Sequence, residues 1–489
     1  MRGALRGKWW PLTAICLANL MLLIDVTIVI TAMPEIAREL DAGLPAQQWV
    51  LDAYALALAA LLLPVGVLGD HRGHRSLYLL GLAVFAVSSL ACGLAPGAGV
   101  LIASRVAQGV GAAAMFATSA ALLAAAYTGR DRGVAFGVWS AVGGAASVTG
   151  VLAGGLLTEY AAWRAIFLVN PPLSVVALLL AWLTVPADGP AGPGRRDGRR
   201  LDLPGAALFT LCAGALVYGL IRGGETSWGD GLVTGSLALS ALALVAFVVS
   251  GTRVRPGREP LLDLRLMRRP SFATLMLTSA VFTASAFAHL TYTMLWLQAG
   301  LGMSPVGAGL AAMPASAASL VVASVAGRWL DRLPARVPLG GGMALIGVGD
   351  LMLTAIGPDS GWQVLTPGLV VSGVGVGLAV PVLSSAALHA APPERAGMAT
   401  GAAVTFRQVG FALGVAVLGT VFAAGGHPGS PAAYAERLDA VYLTAGIAGL
   451  AAAALTVVFV RTPAPLPRGA APEEPRPGGT SPQRSAAQR

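Results

Sequence analysis

The chain has 489 residues, of which 11% are charged and 56% are hydrophobic, and its mean hydropathy is +0.73. Because soluble proteins carry about 25% charged residues, this composition excludes a soluble protein with an ordinary water-exposed surface. The net charge of +9 would indicate a nucleic-acid partner only if the positive residues clustered on one solvated face, and the sequence has no such cluster.

Fourteen apolar runs follow one another along the chain, each long enough to cross a bilayer, whose core takes about 20 residues per helix. They cover approximately 11–32, 48–68, 77–95, 100–123, 134–157, 165–184, 204–221, 232–251, 272–297, 306–327, 338–357, 364–388, 398–423 and 439–460. The first run is not a cleaved signal peptide, because it is too long and contains Asp25. We therefore predict an all-α membrane protein with 14 transmembrane helices.

The spacing of these runs predicts two pseudo-symmetric six-helix lobes with two helices inserted between them. The N-terminal lobe covers 11–184, the inserted helices cover 204–251, and the C-terminal lobe covers 272–460. The remaining segments are a cytoplasmic N-terminus at 1–10, a linker at 185–203, a loop at 252–271 and a tail at 461–489. The tail is rich in Pro, Gly, Ser and Arg, which predicts disorder.

The positive residues fix the predicted orientation. With the N-terminus in the cytoplasm, inward loops and tails hold 26 Lys and Arg residues, and outward loops hold 4. Cytoplasmic loops accumulate positive charge, so both termini are predicted to lie inside. The two remaining positive residues, Arg105 and Arg407, fall within membrane spans.

The segment from Gly66 to Arg75 combines a tight glycine turn with one acid and several cations at the predicted cytoplasmic edge. Such a cluster can pair with a neighbouring helix end and hold two helix bundles together on one side. We expect it to act as a conformational-switch loop. Its members are Gly66, Asp70, Arg72, Gly73 and Arg75. A weaker echo at residues 327–332 predicts an internal repeat.

Several motifs together resemble the major facilitator superfamily, and more specifically its fourteen-span drug:proton antiporter branch. The segment at Gly66–Arg75 resembles the signature loop of that superfamily. The other matching motifs are Asp25-x-Thr27 with Pro34, Trp49-x-x-Asp52-x-Tyr54, Leu101-xxx-Arg105-xx-Gln108-Gly109-x-Gly111, Trp163-Arg164 with Asn170-x-Pro172, Pro260 with Asp263, and Arg407-Gln408-x-Gly410. The resemblance runs from about residue 10 to residue 460.

This resemblance implies proton-coupled efflux of drugs, antibiotics or other hydrophobic small molecules across the cytoplasmic (inner) membrane by alternating access. It implies a monomeric multi-pass protein that is not an enzyme. The partners are then a small-molecule substrate, protons and the lipid bilayer, with no nucleic acid. No metal or cofactor is expected, because the proton gradient supplies the energy. The tenth span, 306–327, has no acid, which favours a neutral, anionic or amphiphilic natural product over a dication.

Two departures from the branch keep other functions open. In the fifth span Val151 follows Gly150, where exporters of this branch usually have proline, and Ile30 stands where the branch usually has asparagine. A proton-coupled importer or metabolite exchanger on the same fold therefore remains an alternative, and a membrane receptor or scaffold is a more distant one. Gly150, Gly154 and Gly155 still form a small-residue face for helix packing or gating.

Ionisable residues inside the membrane cost about 2.5–3.5 kcal/mol each, so each one is a functional candidate. Asp25, Asp52 and Arg105 are predicted to couple transport to protons, since a carboxyl group in low-dielectric surroundings can carry a proton at physiological pH. Arg105 cannot lose its proton and needs an acid or several carbonyl groups. Arg407 is an equal candidate for a gate and for a structural role.

Aromatic and polar residues near these positions are candidates for a substrate cavity: Tyr54, Trp139, His289, Tyr292 and Trp296. Aromatic side chains at helical spacing also serve as packing or interface anchors. A single buried histidine is more often a neutral hydrogen-bonding group than a ligand contact. Asp350 lies deep in the eleventh span, which would match the peripheral third helix of each lobe, and its role is open.

Overall fold

The computed structural model describes residues 7–186, 200–252, 258–259, 262, 264–330, 333–357, 360–391, 396–424 and 431–460. Nearly all of them are helical. The helices are α1 (Trp10–Glu39), α2 (Leu44–Arg72), α3 (His74–Gly93), α4 (Ala98–Ala126), α5 (Gly129–Ala161), α6 (Ala165–Leu168), α7 (Asn170–Thr184), α8 (Leu203–Glu225), α9 (Gly231–Thr252), α10 (Leu264–Met267), α11 (Pro270–Thr283), α12 (His289–Leu295), α13 (Pro305–Leu330), α14 (Arg336–Leu353), α15 (Leu365–His389), α16 (Ala396–Ala423) and α17 (Pro431–Phe459).

Short non-α elements complete the described chain. Two π-helical turns, Ala284–Ala288 and Trp296–Gly300, flank α12, and a 3₁₀ turn, Trp362–Val364, precedes α15. The strands β1 (Arg200–Leu201) and β2 (Arg258–Glu259) form a parallel pair.

Twelve helical segments of the described chain are long and apolar enough to cross a membrane. This finding confirms the prediction of an all-α, multi-pass membrane protein. Helices α2 and α5 lie at the two other predicted positions and are 29 and 33 residues long, which is more than one span requires. The count of fourteen spans and the orientation of the chain stay predictions.

The helices of the first and second halves pack in the same pattern. In the first half, α1 packs against α5 and α7, α2 against α4, and α3 against α4 and α7. In the second half, α11 packs against α16 and α17, α13 against α15, and α14 against α15 and α17. Two interfaces join the halves, α2 with α16 and α5 with α13. The packing pattern matches α2 with α13 and α5 with α16, so the repeat converts one interface into the other. This arrangement is typical of an internal repeat related by a pseudo-two-fold axis.

The connection between α2 and α3 is shorter than the sequence predicts. Residues 69–76 were expected to form a loop, but all of them except Gly73 are helical. Gly73 reverses the chain by itself with φ +98°, a backbone conformation that glycine adopts readily because it has no Cβ. Hydropathy falls at the membrane edge, whereas the helical hydrogen bonds continue past it, so an apolar run underestimates the length of the helix.

Helices α8 and α9, inserted between the halves, pack against each other, and α8 also contacts α2 and α16. The Thr420 hydroxyl donates to the carbonyl oxygen of Leu220 at 3.1 Å. On α9, Leu242 and Val245 are 68% and 61% exposed. Exposed apolar side chains of this kind suit a lipid-facing surface. Helix α8 therefore lies along the seam between the halves, with α9 outside it.

Within the described part of the chain, one hydrophobic cluster joins the two halves at one end of the bundle. One buried cluster contains residues of both halves, including the ends of α1 and α16 and the starts of α2 and α17. Two other clusters hold buried residues from one half each, the second of them also including α9. We call the end where α1 ends and α2 begins the closed end. The positive-residue pattern predicts that this end faces outward.

Candidate functional site

A group of polar side chains is buried in the first half, where α1, α3, α4 and α7 meet. We call it the N-half polar cluster, and it consists of Asp25, Ser89, Arg105, Gln108 and Asn170, each at most 4% exposed. Arg105 forms an ion pair with Asp25 through Nη1. Gln108 donates from Nε2 to Asp25 Oδ1 at 2.8 Å and to Ser89 Oγ at 2.9 Å. Asn170 Nδ2 donates to Asp25 Oδ1 at 3.3 Å.

Arg105 has further partners that satisfy its buried positive charge. Its Nε donates to the carbonyl oxygen of Val50 at 3.0 Å, and its Nη1 donates to Gln108 Oε1 at 2.6 Å. The guanidinium carbon lies 4.3 Å from the centre of the Tyr54 ring, a distance that suits a cation–π contact. Tyr54 is thus placed beside Arg105, although the sequence suggested it for the substrate cavity.

The N-half polar cluster converges on Asp25. Donors from Arg105, Gln108 and Asn170 meet at its carboxyl group, and charge-assisted hydrogen bonds of this kind are strong. Because Arg105 is buried, it depends on such a partner to balance its charge.

Asp52 lies at the interface between the halves, apart from the N-half polar cluster. It is fully buried, and within the described part of the chain neither carboxyl oxygen has a hydrogen-bond partner. One turn earlier on α2, Gln48 Nε2 donates to Tyr292 Oη at 3.1 Å and to the carbonyl oxygen of Val415 at 3.2 Å. The Tyr292 hydroxyl also donates to Val415 at 2.5 Å. Asp52 therefore adjoins hydrogen bonds that link the two halves.

Two more hydrogen bonds join the halves at the closed end. Gln298 Nε2 donates to the carbonyl oxygen of Thr31 at 2.9 Å, and the backbone N–H of Val306 donates to Glu159 Oε2 at 2.9 Å. The closed end is thus held both by apolar packing and by side chains that reach across the seam. These polar contacts can be broken and remade in water, as a gate requires.

A cavity of about 640 Å³, its open side included, lies between the two halves. The first half contributes residues of α1 and α5, among them Thr27, Thr31 and Val151. The second half contributes residues of α12, α13 and α15 together with the π-helical turn before α12, among them His289 and Ser372. Its lining combines mostly apolar side chains with a few polar ones, which is the composition typical of small-molecule sites.

Among the predicted cavity residues, His289 lines this cavity, whereas the four aromatic residues lie elsewhere. Trp296 is buried in the core of the closed end, and Tyr292 takes part in the hydrogen bonds to Val415. The Trp139 ring lies 6.0 Å from the Phe116 ring. A substrate contact for each of these residues stays a prediction.

The predicted packing glycines lie where helices approach closely. A Cβ on Gly154 would come within 3.0 Å of the Ile28 carbonyl oxygen on α1. A Cβ on Gly155 would come within 2.8 Å of the Pro305 carbonyl oxygen on α13, and one on Gly150 would meet Thr27 on α1. Gly155 therefore packs against the other half, and Gly150 and Gly154 pack against α1.

The predicted switch residues and Arg407 are placed as follows. Arg72 is exposed, and Arg75 Nη2 donates to the Trp182 carbonyl oxygen at 2.5 Å. Gly66 lies within α2, and the Asp70 side chain is outside the described atoms. The Arg407 guanidinium lies 5.7 Å from the Phe282 ring centre.

Sequence reasoning did not single out Ser89, Gln108 and Asn170 as site residues. A signal was present for Gln108, which follows Arg105 by three residues and so shares its helix face. Asn170 stands at the start of α7, a position that is compatible with a turn or a cap. Ser89 gave no signal, because a serine inside a membrane helix usually bonds its own backbone.

A model of the Major Facilitator Superfamily matches residues 15–415 of the chain. The curated relatives include the multidrug resistance protein Stp of Mycobacterium tuberculosis, 36% identical over 86% of this chain and 76% of the relative. The puromycin resistance protein pur8 of Streptomyces alboniger is 38% identical over 87% and 83%. The cephamycin export protein CmcT of Amycolatopsis lactamdurans is 36% identical over 91% of each chain.

The fold is also similar to that of a solved transporter. A crystal structure of a POT family transporter in complex with a thioalcohol-conjugated peptide superposes with a TM-score of 0.65. The two chains are 14% identical, and the match covers 92% of this chain and 95% of the other. At this identity the similarity establishes a shared transporter fold.

Proposed function

Because this chain belongs to the Major Facilitator Superfamily, whose members are transporters and not enzymes, we propose that it exports antibiotic-like hydrophobic small molecules in exchange for protons. The proposed site of action is the cytoplasmic membrane, with both termini inside and fourteen spans. Transport proceeds by alternating access, in which the two halves rock about the cavity between them.

The observation that carries this proposal is the cavity between two halves that are joined at one end. A substrate at the walls formed by Thr27 and His289 would contact both halves at once. Rocking that separates the closed end and brings the opposite end together would expose the same site to the other side. Such a movement needs an interface that can open, and the bond from Gln48 to Tyr292 is of that kind.

Two carboxyl groups are proposed to carry the coupling protons. The ion pair of Asp25 with Arg105 supports this role, because a proton on Asp25 would change the balance of charge around Arg105. Asp52 is placed at the seam, where an ionised and unpartnered carboxylate is strongly disfavoured, so that a proton on it favours the closed end and its loss favours opening. Binding of outside protons at these residues would then be linked to closure of the outward end.

The proton gradient is sufficient to drive this exchange. Each elementary charge that crosses 100 mV supplies about 2.3 kcal/mol, and each pH unit adds about 1.4 kcal/mol per proton. At about 1.4 kcal/mol per tenfold, one proton that crosses both 100 mV and one pH unit therefore supports a gradient of a neutral substrate on the order of several hundredfold.

The relatives support outward transport of natural products. Their names describe resistance to puromycin and export of cephamycin, and we propose a substrate of that general kind for this chain. Resistance follows when a pump lowers the cytoplasmic concentration of its substrate. The direction of transport is therefore proposed to be from the cytoplasm outward.

A proton-coupled importer or exchanger is retained as a second candidate because of Val151. This residue lines the cavity and lies within the uninterrupted helix α5, where exporters of the branch carry a proline. A proline there would remove a backbone hydrogen bond and kink the helix. A comparison of uptake into right-side-out and inverted vesicles separates the two directions.

The experiment is expression of the full chain in a pump-deficient bacterium, challenged with puromycin, a cephamycin and a panel of further antibiotics. We expect higher inhibitory concentrations for at least one compound, and loss of that resistance in Asp25→Asn and Asp52→Asn variants produced to the same level. The matched control is Asp230→Asn, in the exposed α8–α9 connection, which should retain resistance.

Resistance to no compound, together with no proton-driven accumulation in inverted vesicles, would contradict the export proposal. Resistance that survives both membrane substitutions would leave export standing and reject Asp25 and Asp52 as the coupling groups.

A further inference from the structure

A histidine and an aspartate meet in the interior of the second half. His289 Nε2 on α12 lies 3.6 Å from Asp350 Oδ1 on α14, and the two side chains are at most 2% exposed. This distance suits an ion pair but is too long for a hydrogen bond. Both Asp350 oxygens and His289 Nδ1 lack a hydrogen-bond partner among the described residues.

The groups that face this pair offer no fixed positive charge. The Tyr442 ring on α17 lies edge-on to His289 with the ring centres 5.6 Å apart, and the Tyr442 hydroxyl pairs with Thr293 at 2.8 Å. Ser372 on α15 lies near Asp350 without a hydrogen bond to either of its oxygens, and Asp439 on α17 is a further acid near Tyr442. In the described part of the chain, Asp350 has an ion pair with His289 alone.

The internal repeat gives this pair a counterpart. The N-half polar cluster draws its residues from α1, α3, α4 and α7. The second-half group draws His289, Asp350, Ser372 and Tyr442 from α12, α14, α15 and α17, and the packing pattern matches these helices in that order. The residues differ in kind and position: the acid of the first half, Asp25, stands on α1, whereas the matching span of the second half carries His289, and the acid of the second half stands on α14, which matches α3.

The pair also adjoins the cavity and an irregular backbone segment. His289 and Ser372 line the cavity between the halves. The π-helical turn Ala284–Ala288 ends directly before His289, and π-helical turns occur often at functional sites. Asp350 therefore lies behind two residues of the cavity wall, His289 and Ser372.

From this geometry we propose that His289 and Asp350 form a further proton-binding site, in the second half, in which one shared proton exchanges with the cavity through His289. With the proton bound, the pair is neutral overall, either as an imidazolium–carboxylate pair or as a neutral imidazole beside a carboxylic acid. Release of the proton to the cavity leaves neutral His289, ionised Asp350 and a net charge of −1. An isolated buried carboxylate is disfavoured, so release requires water or a cationic substrate group in the cavity. This inference deepens the proton coupling proposed above and rests on it for its role in transport.

The test is infrared difference spectroscopy of the full chain in lipid nanodiscs, recorded between acidic and alkaline buffer, without any substrate. Among the titration steps of the native chain, seen in carboxyl or imidazole bands, we expect one step that is lost in Asp350→Asn and lost or shifted in His289→Gln. The Asp25→Asn variant is the matched control for a buried acid in the other half, and it should keep this step.

Spectra in which neither substitution changes any titration step would overturn the proposal, as would a step that Asp350→Asn removes and His289→Gln leaves at its original midpoint. If Asp350→Asn does not fold, Asp350→Glu replaces it and should shift the same step. Failure of the pair to titrate in a chain that confers resistance rejects this inference alone. A pair that titrates in a chain that exports nothing rejects the proposed function alone.

Discussion

At the residue scale, the contact between Asp25 and Arg105 ties stability to function. Both side chains are buried, and removal of one member of a buried pair costs about 3–5 kcal/mol because the other charge is left uncompensated. We expect Arg105→Gln to lower the apparent melting temperature in detergent. The double variant Arg105→Gln with Asp25→Asn should melt closer to the native chain than Arg105→Gln alone. Equal losses in the single and double variants would show that the two charges do not compensate each other.

Substitution of Asp52 is expected to affect transport without the loss of stability expected for Arg105→Gln. The Asp52 carboxyl group has no hydrogen-bond partner among the described residues, and asparagine has nearly the same shape. Asp52→Asn should therefore change stability by no more than about 1 kcal/mol, while it reduces the dependence of export on a pH gradient. Thermal unfolding and transport by the same purified preparation check this expectation. A large loss of stability would mean that Asp52 has a structural partner.

The residues of the site were only partly predictable. An arginine inside a membrane needs an acid or several carbonyl groups, so the sequence indicated only that Arg105 has partners of one of these kinds. It did not indicate that Asp25 is such a partner and Asp52 is not, because this depends on how α1, α2 and α4 pack. The repeat in the sequence matches the span of Asp350 with the peripheral third helix of each lobe. In the structure, Asp350 on that helix nevertheless lies 3.6 Å from His289.

At the scale of the element, the glycines of α5 set the distance between helices. A Cβ at position 155 would lie 2.8 Å from the Pro305 carbonyl oxygen, and overpacking of this kind costs about 1–3 kcal/mol. We expect Gly155→Ala to weaken the contact of α5 with α13 and to reduce both melting temperature and export. The matched control is Gly235→Ala on α9, where a Cβ would meet no atom within 4 Å, and where alanine adds about 1 kcal/mol of helix propensity.

If both glycine substitutions affected export equally, close approach of α5 and α13 would not explain the result.

The positions of the helices were largely predictable, because about 20 apolar residues per span are a strong physical requirement. Their ends were less so: α2 continues through polar residues to Arg72, where backbone hydrogen bonding continues although hydropathy has fallen.

At the scale of the whole molecule, the closed end should separate during transport. Gln298 and Thr31 approach each other across the seam, so cysteines at these two positions should be joined by a short bifunctional crosslinker. We expect the crosslink to stop export and a reducible linker to restore it after reduction. The background chain has Cys16, Cys92 and Cys212 replaced, and each single-cysteine variant serves as a control.

Full export by a fully crosslinked chain would mean that the closed end does not open.

The arrangement of the two halves could be anticipated from the weak repeat in the sequence, but which end of the bundle is closed could not. Which end is closed depends on contacts such as that of Gln48 with Tyr292, which join residues 244 positions apart.

The central claim, export in exchange for protons, is tested most directly in inverted membrane vesicles acidified by respiration. A compound to which the chain confers resistance is added while a fluorescent dye reports the internal pH. We predict that the native chain raises the internal pH when the compound is added, and that Asp52→Asn vesicles with the same amount of folded protein do not. Accumulation of the compound by the native chain without any change in internal pH, or unaffected by an uncoupler, would contradict the account.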